Sequence, residues 1–297
     1  MCWISIVIPT LNRYDLLENT LSDLSKQSVG DFEIIIVDQT DLSIAKPIVF
    51  EGLNIVYHWQ EDKSASLARN TGLTLSRSEV VLFLDDDIII ESADFLKDHL
   101  KHYADTGCVG VSGAILNPGQ KFRSNRNALS KNLKYGWLFF PINYDRSVKV
   151  FNGWAGNLSV RKSFALDVGG MDGRFEKGAF REESDFCFRL CSKHGPLIYD
   201  PAAYIIHLGA KTGGLRSFAS NDLIKAQHHF DGMFYFTFKN IPFYHYPFHF
   251  LSFVMIFFNR KNIAKRPLLI FTLGYRTFKG ALNGILMLIK GPLYIKR

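Results

Sequence analysis

Five short runs rich in β-branched and apolar residues, Ser5–Ile8, Glu33–Val37, Ile55–Trp59, Val80–Leu84 and Val109–Ile115, are interleaved with segments of helical periodicity. Those segments lie around Leu16–Ser25, Ala65–Leu75 and Ala93–Tyr103. Strand and helix signals that alternate in this way imply βαβ units, and hence an α/β fold with a mostly parallel sheet flanked by helices on both faces. Parallel strands place their C-terminal ends on one edge. Three of the runs end there in polar residues, Pro9-Thr10-Leu11-Asn12, Asp38-Gln39-Thr40 and Asp85-Asp86-Asp87, which are therefore expected to converge on one crevice. With 297 residues, 47% of them hydrophobic, the chain is large enough for one full core and an appendage.

The run Val80–Leu84 reads as a buried strand, so the aspartate triplet sits at its C-terminal edge. Three adjacent carboxylates repel one another unless a cation shares them. A hard divalent ion, Mg²⁺ or Mn²⁺, takes such oxygen ligands and keeps room for substrate phosphates. A solvated acidic turn that caps the next helix explains the triplet alone equally well, since aspartate suits helix N-termini.

From about Asn117 to Val150 the pattern gives way to a mixed basic and aromatic segment with Lys121, Arg123, Arg126, Tyr135, Trp137 and Phe139. A loop of this length is usually functional or a surface excursion. Regular patterning returns at Asn152–Val160 and Gly169-Gly170-Met171-Asp172, then at Arg181–Leu190, where Glu182, Glu183 and Asp185 fall in a helix first turn. Cys187, Cys191 and His194 share a helical face, but their spacing matches no zinc pattern and reads as packed thiols. Four cysteines in so long a chain fit a reducing, cytoplasmic setting, and Met1–Pro9 reads as a first strand rather than a secretory leader.

Charge is divided unevenly along the chain. After Asp231 there is no Asp or Glu, while ten Lys and Arg residues follow; subtracting ten from the net +7 leaves residues 1–238 at −3. The expected division is therefore a main domain over 1–230 and a basic, apolar helical segment over 231–297. Ile241–Phe258 is uncharged and aromatic but holds Pro242, Pro247, His245 and His249, which suits a membrane span poorly. Leu268–Ile289 mixes apolar residues with Arg276 and Lys279, as in a helix lying on an anionic membrane surface. Packing of both stretches on the main domain is the plainer alternative. Nucleic acid would use the same electrostatics, but the tail is too apolar for that partner.

Taken together, Ser5–Arg13, Ile35-Ile36-Val37-Asp38, Ala68-Arg69-Asn70-Thr71-Gly72, Phe83–Asp87, and Gly169–Asp172 followed by Glu182–Asp185 give the chain a resemblance to the inverting family 2 glycosyltransferases of GT-A type fold, over roughly residues 4 to 210. The resemblance implies that Pro9, Thr10, Asn12 and Asp38 line a nucleotide site, with Arg69 and Asn70 near the ribose and diphosphate. It gives Asp85 a ribose contact and Asp87 a metal, as the outer positions of an Asp-x-Asp motif. Some members use adjacent aspartates, which keeps Asp86 in play. His207, after the acidic helix, would complete the metal shell, although a lone strand-end histidine is more often structural. Glu183 falls at the position of the catalytic base, with Glu182 and Asp185 as alternatives.

The activity implied by the resemblance is transfer of one sugar from a nucleotide-sugar donor to a glycan or lipid-linked acceptor, at the inner face of the plasma membrane, in cell-surface polysaccharide synthesis. The Gln-x-x-Arg-Trp motif of processive members is missing. So is the Gly-x-Gly-x-x-Gly turn that a dinucleotide-dependent oxidoreductase needs after its first strand. A catalytically inactive, membrane-associated glycan-binding or scaffolding module of the same fold is the alternative, and its weakness is that it has no need of two acidic clusters.

Overall fold

The computed structural model describes residues 3–124, 142–178, 180–210, 212–214, 226–257 and 268–296. Strands β1 (Ile4–Thr10), β2 (Phe32–Asp38), β3 (Ile55–Trp59) and β4 (Val80–Leu84) form a parallel half-sheet in the order β3-β2-β1-β4. Their side chains alternate between the two faces. Ile4, Ile6, Ile8, Ile34, Ile36, Leu82 and Leu84 pack under α1 (Tyr14–Leu24) and α3 (Phe95–Leu100), together with Leu17, Leu21, Phe95 and Leu96. Val7, Ile35, Val37, Val81 and Phe83 face the other way, against Ala68 and Leu73 of α2 (Ala65–Leu75) and Phe186 and Leu190 of α5 (Glu182–His194). Strands β1, β2 and β4 are buried on both faces and largely apolar, which is why these runs were legible, while β3 at the edge of the sheet is only partly buried.

The second half of the sheet departs from simple parallel winding. Between β4 and α3 runs the short β5 (Ile88–Ile89), and β6 (Gly110–Leu116), β7 (Val148–Val150), β8 (Asn157–Arg161) and β9 (Leu197–His207) complete the sheet in the order β4-β8-β6-β9-β5, with β7 on β9. Strand β8 is antiparallel to both β4 and β6, whereas β6 and β9 are parallel. The short α4 (Lys162–Asp167) follows β8 directly. Because β1 leads outward to β2 and β3 before the chain returns to β4, the sheet has its switch point between β1 and β4. A crevice opens at the C-terminal ends of such neighbours.

Three further helices, α6 (Gln227–Asn240), α7 (Tyr246–Phe257) and α8 (Leu269–Lys290), pack beside this body. Helix α6 starts ahead of the expected boundary at 231 and is tied in by a buried ion cluster. Lys239 Nζ lies 2.7 Å from Asp172 Oδ2 and 2.8 Å from Asp185 Oδ1, and Tyr235 donates to Asp172 at 2.8 Å. Lys239, one of the ten cations counted into the tail, is therefore spent inside the protein. Cys187 and Cys191 are buried thiols of the core, and burial pushes Cys191 up to about 12. His194 stacks on Phe164 at 4.2 Å. Arg126, Tyr135, Trp137 and Phe139 lie outside the described residues.

Candidate active site

The crevice at the switch point has a volume of about 450 Å³ and is lined by Pro9, Thr10, Arg13, Arg69, Asp85, Asp86, Asp87, Trp154, Arg181, Glu182, Glu183, His207 and His229, among others. Nine of the residues expected from the sequence thus meet there: Pro9, Thr10, Arg69, Asp85, Asp86, Asp87, Glu182, Glu183 and His207.

The three aspartates have different surroundings. Asp86 is buried, accepting from Thr10 Oγ1 at 2.8 Å and Arg13 Nη1 at 3.1 Å, while Thr20 Oγ1 donates to its carbonyl at 3.0 Å. Burial outweighs Arg13 and pushes its carboxyl up to about 7. Its two oxygens are thus engaged, and its place is that of an anchor between β1, α1 and β4. Asp85 and Asp87 instead point toward His207, the last residue of β9. His207 Nε2 lies 3.3 Å from Asp87 Oδ1 and 3.9 Å from Asp85 Oδ2. One ligand atom from each of Asp85, Asp87 and His207 falls within 4.8 Å of the others. Burial raises the pKa of Asp87, but the His207 hydrogen bond and charge, Arg13 and the Ala210 N–H together bring it below the usual carboxylate value. Asp87 is held ionised, as a metal ligand must be. Two carboxylates and an imidazole are a donor set that Mn²⁺ or Mg²⁺ accepts, so these residues fit the ion that the resemblance implies. Gly156 makes room for this arrangement, because a Cβ there would come 2.9 Å from Asp85 Cγ and closer to its Oδ2.

The second acidic group is held by α2. Arg69 Nη2 lies 3.2 Å from Asp85 Oδ1 and its Nη1 lies 3.0 Å from Glu182 Oε1, so one buried guanidinium joins the two acidic clusters. Ser66, one turn earlier, donates to Glu182 Oε2 at 2.9 Å. Both oxygens of Glu182 are committed. Glu183 is half-buried, and among the described residues its one hydrogen bond comes from Ala155 N at 3.3 Å. Burial pushes Glu183 up to about 8, against the lowering effect of Arg69. It enters the crevice from the first turn of α5, behind Arg181, whose backbone is left-handed at φ 80°.

Four expected residues are not on the crevice wall. Asp38 is fully buried and accepts from Tyr14 OH at 2.6 Å, Tyr57 OH at 2.8 Å and Thr40 N at 2.9 Å. Asn70 clamps Met171, donating to its carbonyl at 2.7 Å and accepting from its N–H at 2.7 Å. Asn12 forms a left-handed turn at φ 55°, which asparagine tolerates better than most residues. Asp185 points into the ion cluster, paired with Arg189 Nε at 3.0 Å as well as with Lys239. These four support the site from behind.

Sequence reasoning did not single out Arg13, whose Nη1 lies 3.4 Å from Asp87 Oδ2 and whose Nε and Nη2 donate to the carbonyls of Thr212 and Gly213. It also overlooked Trp154, whose ring centroid is 5.1 Å from that of His207, and His229, which α6 brings to the crevice. Arg13 ends the Ser5–Arg13 run, but its partners are remote in sequence.

The family model for glycosyl transferase family 2 matches residues 5–167, more than half of the chain and the whole parallel half-sheet. The chain belongs to glycosyl transferase family 2. The pre-mycofactocin glycosyltransferase of Mycobacterium tuberculosis is 27% identical over 209 residues, covering 69% of this chain and 42% of that protein. A PGL/p-HBAD biosynthesis glycosyltransferase of Mycobacterium bovis is 34% identical over 148 residues, 46% of this chain and 58% of its own length. The chain thus spans less than two thirds of these relatives. Among solved structures, the mannosyltransferase PcManGT of Pyrobaculum calidifontis, in complex with GDP-Man and Mn²⁺, superposes with a TM-score of 0.58 at 16% identity, over 97% of this chain and 79% of that one. TarS residues 1–349 of S. aureus give 0.60 at 14% identity, over 94% and 81%. Both likenesses identify the fold as GT-A.

Proposed function

We propose that this family 2 chain transfers a single sugar from a nucleotide-sugar donor to an acceptor hydroxyl with inversion at the anomeric carbon, in a reaction that depends on Mg²⁺ or Mn²⁺ held by Asp85, Asp87 and His207. The observation that carries this reading is the meeting, in one crevice, of that three-residue cluster with a carboxylate of raised pKa, Glu183. A bound divalent cation would act as a Lewis acid toward the negative charge that develops on the departing nucleoside diphosphate. PcManGT, solved with GDP-Man and Mn²⁺, supports a donor and ion of this class.

The protein's own groups do the rest. Glu183 accepts the proton of the acceptor hydroxyl as that oxygen attacks the anomeric carbon from the face opposite the diphosphate, and a single displacement of this kind inverts the configuration. A raised pKa makes Glu183 a stronger base while reducing its ionised fraction at neutral pH. Arg69, paired with both Asp85 and Glu182, sets the spacing between the donor and base sides of the crevice. Arg13 and Arg181 place guanidinium charge on the crevice wall, where a diphosphate is accommodated by charge-assisted hydrogen bonds.

The proposed acceptor is a glycan or a lipid-linked glycan of the cell surface, reached from the cytoplasmic face of the plasma membrane, with residues 1–230 carrying the chemistry and 231–297 the approach to the membrane. The relative named for PGL/p-HBAD biosynthesis supports a role in glycan assembly. A thermal-shift screen of nucleotide sugars with and without Mn²⁺ tests the reading, because a ligand of the folded state raises its stability by mass action. One donor is expected to raise Tm only with the ion, and NMR of the product is expected to show an inverted anomer. No donor-dependent shift, and no release of nucleoside diphosphate from any common donor, would leave the scaffold reading standing.

A further inference from the structure

Helix α8 has two apolar faces, and the fold uses only one. Leu273, Gly280 and Gly284 are its buried residues. The two glycines let it approach α6 closely, since a Cβ at 280 would lie 2.8 Å from Phe230 Cβ and one at 284 would lie 2.8 Å from Phe234 Cβ. On the opposite side, Phe271, Tyr275, Phe278, Leu282, Ile285 and Ile289 recur at the three- and four-residue spacing of a single helical stripe. All six are exposed, with Phe271 and Ile289 each at 75%. From Phe271 to Ile289 the stripe runs about 27 Å along the 22-residue helix. Monomeric soluble proteins rarely leave a contiguous apolar surface of that extent uncovered.

Charge indicates what covers it. Arg276, Lys279 and Lys290 lie along one flank of the stripe, and Lys279 and Lys290 are exposed. Lys239 is spent on Asp172 and Asp185, the sequence holds no Asp or Glu after Asp231, and Lys279 and Lys290 carry exposed positive charge beside the stripe. A second copy docked on this face would bring like charges together. An anionic lipid surface would neutralise them and bury the stripe. Among the described residues no helix is long and apolar enough to cross a membrane, so the fitting geometry is that of a helix lying in the interface.

We propose that the Phe271–Ile289 face of α8 docks the protein on an anionic lipid bilayer, with the helix axis in the membrane plane. This deepens the proposed function, on which it rests for the lipid-linked acceptor. Helix α6 packs on the inner side of α8 and contributes His229 to the crevice. With the outer face of α8 in the interface, His229 on α6 stands about one helix diameter, roughly 10 Å, from the bilayer surface. A sugar displayed on a membrane-anchored lipid is within reach at that height.

Flotation with vesicles of phosphatidylcholine alone and of phosphatidylcholine with phosphatidylglycerol tests this without any turnover. The unaltered chain is expected to float with the anionic vesicles, to do so less as salt rises, and to stay with the protein fraction when only phosphatidylcholine is present. The Phe271→Ser, Phe278→Ser, Ile285→Ser triple variant is expected to lose flotation while keeping the Tm of the unaltered chain, because these side chains are exposed. Lys279→Gln with Lys290→Gln is expected to weaken partitioning about fivefold per lysine removed. Failure of the unaltered chain to float, or flotation by the triple variant, would overturn the proposal. So would a dimer in lipid-free solution that the triple variant dissolves, since a second copy would then cover the stripe. Mn²⁺-dependent nucleoside diphosphate binding, measured on the same proteins, separates the two readings: its loss in the unaltered chain counts against the crevice, not the surface.

Discussion

Two acidic clusters line the same crevice, Asp85–Asp87 at the end of β4 and Glu182–Asp185 at the start of α5, and the fold treats them in opposite ways. Each gives carboxylates to architecture: Asp86 to Thr10 and Arg13, Asp185 to Lys239 and Arg189, and Glu182 to Arg69 and Ser66. The remaining groups diverge. Asp87, among His207, Arg13 and the Ala210 N–H, is held below its ordinary pKa, whereas Glu183, half-buried with little hydrogen bonding, is pushed up to about 8. In the proposed reaction, one set is kept charged to hold a cation and the other is tuned to accept a proton. Residue type is shared, and surroundings assign the work.

The comparison breaks most visibly at Asp87. Asp87→Ala is expected to cost several kcal/mol of transition-state stabilisation, on the order of 10³–10⁴ in kcat, and to abolish stimulation by Mn²⁺. A loss below tenfold would detach the first cluster from the reaction. Glu183→Gln is expected to reduce kcat by about 10²–10⁴ with nucleoside diphosphate binding intact, and near-normal turnover would move the base elsewhere. Lys239→Met tests the architectural half of the second cluster: it strands Asp172 and Asp185 without their buried cation, and urea denaturation should show about 3–5 kcal/mol less stability. Asp86→Asn reaches the proposed metal ligands indirectly, through Arg13 and the neighbouring charge of Asp87, so a calorimetric titration should show about 10–100-fold weaker Mn²⁺ binding. The smallest effect is on pH dependence. A base works deprotonated, so raising its pKa moves the rise of kcat/KM upward, and the ascending limb should lie above the ordinary carboxylate range, toward pH 8. An ascending limb near pH 4 would contradict the burial of Glu183.

In the parallel half of the sheet, β1, β2 and β4 were legible because burial on both faces writes largely apolar runs, and the half-buried edge strand β3 through its β-branched and aromatic residues. Ile55–Trp59 and Val80–Leu84 came out with the boundaries observed. The antiparallel insertion of β8 between β4 and β6 was not, since a period of two carries no strand direction. The aspartates and Glu183 could be read from their positions at element ends, but the division of labour within each cluster could not. Asp86 and Asp87 differ by one residue and are sorted by Thr10, Arg13 and His207, which come from distant segments. Asp38 illustrates the same limit: its place at the end of β2 fits a ligand contact, while Tyr14 and Tyr57 turn it inward. Lys239 counted as tail charge until the structure placed it between two buried carboxylates.

The division between the clusters is tested most directly by calorimetric titration of Mn²⁺ with a panel of nucleoside diphosphates into the unaltered chain, Asp87→Ala and Glu183→Gln. The account predicts Mn²⁺-dependent diphosphate binding that is lost in Asp87→Ala and retained in Glu183→Gln. Retention in Asp87→Ala, or loss in Glu183→Gln, would contradict it.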